Sequence, residues 1–194
     1  MIVEINKFDI QRKIQDFNLY TTKRHETYAK VYGLFLKSEG TAKSLTGFRS
    51  VPDFEKFNFE ELKYYFEKNE IPLASVKFIL DKWDDNRSSS AEEMKAFYDQ
   101  WFVGKAIRSY SDAKNEYLLS RLYLSDEVTQ ICDKLSFIIG TYCANLELFY
   151  DKNFPTQEKS AIAKELRRAE EEITSLIESL KIAMQKEMAI GYYT

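Results

Sequence analysis

Residues 162–184 read IAKELRRAEEEITSLIESLKIAM, and in them Ile162, Leu166, Ala169, Ile173, Leu176, Leu180 and Ala183 recur at alternating steps of four and three. Such steps keep side chains on one face of a helix of about 3.6 residues per turn, so the stretch predicts one long helix with a single apolar stripe. No Gly or Pro interrupts it, and Glu165, Glu170, Glu171 and Glu172 flank the stripe, which places the helix from about Thr156 to about Met188. Ile177 and Met184 widen the stripe, as suits packing inside a bundle more than a bare two-stranded seam.

Upstream, Ser125 followed by Asp126 and Glu127 is a helix start, because the hydroxyl caps free amides and the acids favour the positive end of the helix dipole. Val128, Ile131, Cys132, Leu135, Ile138, Ile139, Tyr142, Leu146 and Phe149 then keep helical spacing, so a second helix is expected over Asp126–Tyr150. Only Asp151-Lys152-Asn153-Phe154-Pro155 separates the two, and so short a connection folds them into an antiparallel hairpin.

Other helix starts are weaker. Ser90 with Glu93 forms a capping-box pattern ahead of Met94, Phe97, Tyr98, Trp101 and Phe102, and that helix is expected to reach about Asn115. Asp84–Ser89 before it reads as a loop. Asn58 with Glu61 is a second such pattern, opening a helix with Leu62, Tyr65 and Phe66 inward. Pro72 suits the first turn of a short helix that turns Val76, Ile79, Leu80 and Trp83 inward. Lys43–Asp53, with Gly47 and Pro52, reads as a connection. No run alternates apolar and polar residues between turn markers, so strands are not expected. The reading is an all-α, single-domain helical bundle of six or seven helices with a long C-terminal antiparallel helical hairpin.

Composition agrees with it. The chain has 194 residues, 44% hydrophobic, 15% aromatic and 30% charged, with six Gly and three Pro, enough for a buried core and too few turn formers for a loop-rich fold. No apolar run suits a secretory leader, and the most apolar stretch, Phe137–Tyr150, is broken by Asn145 and Glu147 and is shorter than the roughly 20 residues of a membrane span. Cys132 and Cys143 lie eleven residues apart on one helix, roughly 16 Å of axial rise, which excludes a disulfide between them. A cytoplasmic location is therefore expected.

Catalytic kits are hard to find. His25-Glu26-Thr27-Tyr28-Ala29 is one letter short of the zinc-protease pattern H-E-x-x-H, but the chain has a single histidine, so neither that site nor a ferritin-type di-iron site can be assembled. An EF-hand loop opening at Asp84 would need Gly and Glu where Ser89 and Lys95 stand. Gly104-Lys105 lacks the rest of a P-loop and is expected to sit at a close helix crossing. No metal, no cofactor and no catalytic residue is predicted.

The remaining candidates are polar residues aimed at apolar faces. On a helical wheel Tyr28, Val31, Tyr32, Phe35 and Leu36 share a stripe, with Ala29 beside the core; Arg24 and His25 fall on or beside the stripe and Glu26, Lys30 and Lys37 lie opposite. Arg121 sits in the mostly apolar run Tyr117–Ser125, near Glu116. Arg24, His25, Tyr28, Tyr32, Glu116 and Arg121 are thus the candidate ligand or partner residues. Residues 1–50 also hold nine Lys and Arg against five Asp and Glu, with Lys7, Arg12, Lys13, Lys23, Arg24, Lys30, Lys37, Lys43 and Arg49 interleaved with Tyr20, Tyr28, Tyr32 and Phe48. That mixture is how single-stranded nucleic acid is bound, although a pI near 5.4 speaks against it.

Lys23-Arg24-His25-Glu26-Thr27-Tyr28-Ala29-Lys30-Val31-Tyr32 and Leu122-Tyr123-Leu124-Ser125-Asp126-Glu127 resemble a pattern in uncharacterised bacterial or phage all-helical proteins. The resemblance spans about twenty residues, implies an all-helical fold, and carries no known activity. Some of those proteins have an N-terminal membrane helix, a segment not found in this sequence. The function expected is a non-enzymatic protein–protein interaction or scaffold module that contacts another protein or itself as a homodimer, through aromatic faces and any uncovered part of the Leu166–Leu180 stripe. A helical domain with a buried polar ligand or enzymatic site, and nucleic-acid binding through the basic N-terminal helices, are the alternatives.

Overall fold

The computed structural model describes residues 2–47 and 51–190, with side chains described for 9–47 and 51–189. Six α-helices follow in order: α1 Ile2–Thr46, α2 Phe59–Lys68, α3 Leu73–Leu80, α4 Arg87–Ser120, α5 Asp126–Tyr150 and α6 Thr156–Ile190, with short 3-10 turns at Phe54–Lys56 and Arg121–Tyr123. There is no strand among the described residues, and the protein is an all-α bundle. No helix among them is long and apolar enough to cross a membrane.

Local signals set most boundaries. Ser125 Oγ accepts from the amide of Val128 at 3.2 Å and starts α5 where its acids predict. Asn58 and Glu61 exchange side-chain and backbone hydrogen bonds, completing the capping box of α2. That helix ends with Glu70 at φ 58°, where the amide of Ile71 donates to Phe66 O at 2.9 Å and that of Glu70 to Glu67 O at 3.2 Å. This is a Schellman closure with glutamate in the left-handed position that usually favours glycine.

Four boundaries or placements differ from the sequence reading. First, α4 begins at Arg87, because Asn86 Oδ1 receives the amide of Ser89, while Ser90 is buried with its Oγ donating to Lys82 O at 3.4 Å. Second, it runs on to Ser120, and α1 continues through Lys43 to Thr46 because Ala42 and Leu45 extend its buried face. Third, Pro72 stands just ahead of α3 as its N-cap. Fourth, Gly104 marks no close crossing, since a Cβ there would meet only the Arg108 guanidinium of its own helix, at 3.4 Å.

Packing divides the chain into two compact units, one of Met1–Glu39, Ser109–Ile139 and Glu171–Thr194, the other of Gly40–Arg108 and Gly140–Glu170. In the first, Tyr28, Val31, Phe35, Tyr117, Val128, Cys132, Leu135, Ile173, Ile177, Leu180 and Met184 are buried, and Phe35 and Tyr117 rings lie 6.3 Å apart. In the second, Phe54 is an aromatic hub, edge-on to Phe57, Tyr65 and Tyr98 at 5.5–6.1 Å, in a cluster with Leu62, Phe66, Ile71, Val76, Ile79, Trp83 and Met94. There α5 and α6 pair antiparallel, with Tyr142 Oη donating to Glu170 at 2.6 Å and Asn145 to Glu165 at 3.3 Å.

The heptad stripe of α6 is used inside the fold. Ile162, Leu166, Ile173, Leu180 and Ala183 are buried and Ala169 and Leu176 half-buried, so little of Leu166–Leu180 remains for a partner. Leu36 and Ala29, expected at or beside the buried face of α1, are exposed. Both cysteines are buried and free, and burial pushes each thiol up to about 12, which makes them inert packing residues.

Candidate functional site

In the first unit the polar residues of the α1 stripe meet a carboxylate 159–163 residues further on. Glu187 Oε2 accepts from Arg24 Nη2 and from Tyr28 Oη, the latter at 2.5 Å, and its Oε1 accepts from Ser125 Oγ. Arg24 also donates to Tyr28 Oη through Nε at 3.0 Å and Nη2 at 2.8 Å, and the amide of Ser125 donates to the same oxygen at 3.3 Å. Ser125 caps α5 at the same time, so the carboxylate lies at the positive end of that helix dipole. One carboxylate thereby ties α1, the start of α5 and the end of α6 together.

The other candidates form two smaller groups. Glu116 accepts from Ser120 Oγ at 3.1 Å and pairs with Lys30 at 2.7 Å, and the ammonium holds its carboxyl below the usual carboxylate range. Arg121 Nη2 donates to Asp133 at 3.3 Å, and the same carboxylate accepts from Tyr117 Oη at 2.5 Å. Tyr32 and His25 are half-buried on α1. Of the six predicted residues, Arg24 and Tyr28 come together directly. Glu187, Ser125 and Asp133 were missed by sequence reasoning, though a signal existed for one: Glu187 falls four after Ala183, the next step of the α6 stripe, as Arg24 falls on the corresponding stripe of α1.

The Glu187 network is closed on itself, whereas the Arg121–Asp133 pair is open to solvent. The oxygens of Glu187 are already met by three donors from within the unit, which is what a buried carboxylate needs and leaves it little capacity for a ligand. Three members of the basic set are engaged, Lys23 with Glu26 at 3.7 Å, Arg24 with Glu187 and Lys30 with Glu116, while Arg12 and Lys13 are exposed. Lys7, Phe48 and Arg49 lie outside the described side chains.

A common device recurs, a buried tyrosine donating to a carboxylate: Tyr28 to Glu187, Tyr117 to Asp133 and Tyr142 to Glu170. Burial first, and the neighbouring carboxylate second, raise all three phenols above their ordinary range. A raised folded pKa gives stability that is fully present below the unfolded value and is lost as pH rises toward the folded one. Urea unfolding is therefore expected to show no loss from these phenols between about pH 7 and roughly pH 9.5 and a decline above about pH 10, by at most about 1.4 kcal/mol per group per pH unit. Tyr117→Phe should make that decline shallower.

No family model matches the chain, and neither a curated protein nor a solved structure matches it.

Proposed function

We propose that the protein is a non-enzymatic helical interaction module that docks through the first half of α1. The observation carrying this reading is one stripe with two fates. Tyr28, Val31, Phe35 and Ser38 follow steps of three and four and are buried in the first unit. The same steps run backward through Arg24 and Thr21 to Phe17, Ile14 and Ile10, which are 66%, 55% and 58% exposed. Residues 9–20 are exposed throughout. Nearby, Tyr20 packs on Tyr123 at 6.1 Å, beside Leu122, which is 88% exposed.

A row of large apolar side chains on one helix face is what a helix-in-groove or coiled-coil contact uses. Covering each gives about 1–2 kcal/mol, so three carry a useful share of a micromolar complex. The partner is an apolar helical surface on another protein or on a second copy of the chain. The closed network around Glu187 supports an architectural role for Arg24, Tyr28 and Glu187, against a ligand or enzymatic site there. The engaged basic residues support protein over nucleic acid as partner.

Ile14→Asp/Phe17→Asp tests the reading, since both positions are exposed and the melt should be unchanged. Light scattering over a concentration series is expected to show the wild type self-associating and the variant monomeric, or a photo-crosslinker at position 14 to capture one protein that the Asp at position 17 abolishes. A wild type that stays monomeric and yields no such crosslink would sink it.

A further inference from the structure

We infer that a groove in the second unit takes an arginine- or lysine-bearing segment of a partner protein. It lies between α3, α4 and the end of α5 with the turn that follows, is an open depression of about 710 Å³, and is lined by Phe78, Ile79, Phe97, Glu93, Glu147 and Asp151 among others. That size is ordinary for a ligand cleft. Its floor is firm. Ile79 belongs to the aromatic core cluster, and Phe97 packs against the same cluster and stacks on Trp101, rings 6.3 Å apart and 21° from parallel. Phe78 is left 57% exposed at the wall, an aromatic face open to solvent.

The rim says what would cover that floor. Glu93 comes from α4, Glu147 from α5 and Asp151 from the turn after it, against the single ammonium of Lys152. Among the described residues neither the Glu93 nor the Glu147 carboxylate forms a hydrogen bond or ion pair. Asp151 Oδ1 accepts only from the amide of Asn153, at 2.9 Å, and Lys159 reaches its backbone oxygen, not its carboxylate. The three carboxylates do not form a group that could hold a metal ion. Two unpaired carboxylates on separate helices, spaced across an apolar floor, suit a long cation instead. A guanidinium stacks on an aromatic face and donates to carboxylates at its edge, while its methylene stem lies on apolar surface. A lysine does the same with a weaker hold.

The groove shares no residue with the α1 face, so this inference stands without the docking role proposed for that face. The probe is a dye-labelled peptide of alternating leucine and arginine, read by fluorescence anisotropy against matched peptides with glutamine or glutamate in place of arginine. Saturable binding of the arginine peptide is expected, weakened roughly tenfold in Glu93→Gln/Glu147→Gln and several-fold in Phe78→Ala, with the glutamine peptide weak and the glutamate peptide silent. Ile14→Asp/Phe17→Asp should bind as wild type, which separates the two surfaces. Circular dichroism checks that the variants, all at exposed or half-buried positions, remain folded. No binding of the arginine peptide, equal affinity in the glutamine variants, or equal binding of the glutamine peptide overturns the inference.

Discussion

Trp83→Ala is expected to lower the stability of the protein by about 3–5 kcal/mol, the range for emptying a fully buried large aromatic site. Trp83 has no exposure and sits among Phe54, Phe66, Ile79, Met94 and Tyr98 in the second unit's core. Its Nε1 donates to Phe57 O at 3.3 Å, which holds the segment ahead of α2 to the turn that follows α3. Alanine leaves both a void that neighbouring rings cannot fill and a carbonyl without its donor. In a thermal melt the loss is a Tm fall on the order of 10 °C. Trp83→Phe keeps most of the volume and should cost only about 1–2 kcal/mol, so a full loss in that variant too would show that the hydrogen bond, not the cavity, dominates. The remaining tryptophan, Trp101, keeps the unfolding visible by fluorescence.

Glu187→Ala is the second large effect, expected to cost about 2–4 kcal/mol in the first unit. The reason is asymmetry. Removing the carboxylate takes the counter-ion from Arg24, which keeps only Tyr28 Oη, and the acceptor from the Tyr28 and Ser125 hydroxyls, whereas Arg24→Ala leaves Glu187 still met by Tyr28 and Ser125. Urea denaturation should therefore rank Glu187→Ala well above Arg24→Ala, and the double variant should cost less than the sum of the two. Equal costs, or full additivity, would mean that the three groups do not act as one network.

Where the chain announces its own local structure, the sequence reading and the fold agree. α5 spans Asp126–Tyr150 as its capping serine and acids predict, and α2 opens on Asn58 and Glu61. The start of α4 misleads because Ser90 and Glu93 have capping-box spacing, yet Asn86 lies earlier and burial claims the Ser90 hydroxyl. The end of α1 misleads because Gly47 and Pro52 suggest a loop while Ala42 and Leu45 still have a core to join. In the polar cluster, Arg24 and Tyr28 are legible as polar groups on an apolar face. Glu187 is one acid among 31, and only its position on the stripe of α6 singles it out. Which polar residues meet depends on how helices far apart in sequence align, and no window of sequence contains that alignment.

The unbroken course of α1 has a consequence for how tightly its first half can hold a partner. A free helix must first fix one whole turn for a single hydrogen bond, and that nucleus is the costly step. Here the packed turns from Thr27 onward supply the nucleus, so residues 9–20 are added to an existing helix at the small cost of propagation. The chain therefore presents the proposed docking face ready-shaped, with the ordering entropy already met by folding. Affinity should then respond to helix propensity at positions that touch nothing: Arg12→Gly, on the side away from Ile10, Ile14 and Phe17, is expected to weaken docking roughly fivefold while leaving every contact in place.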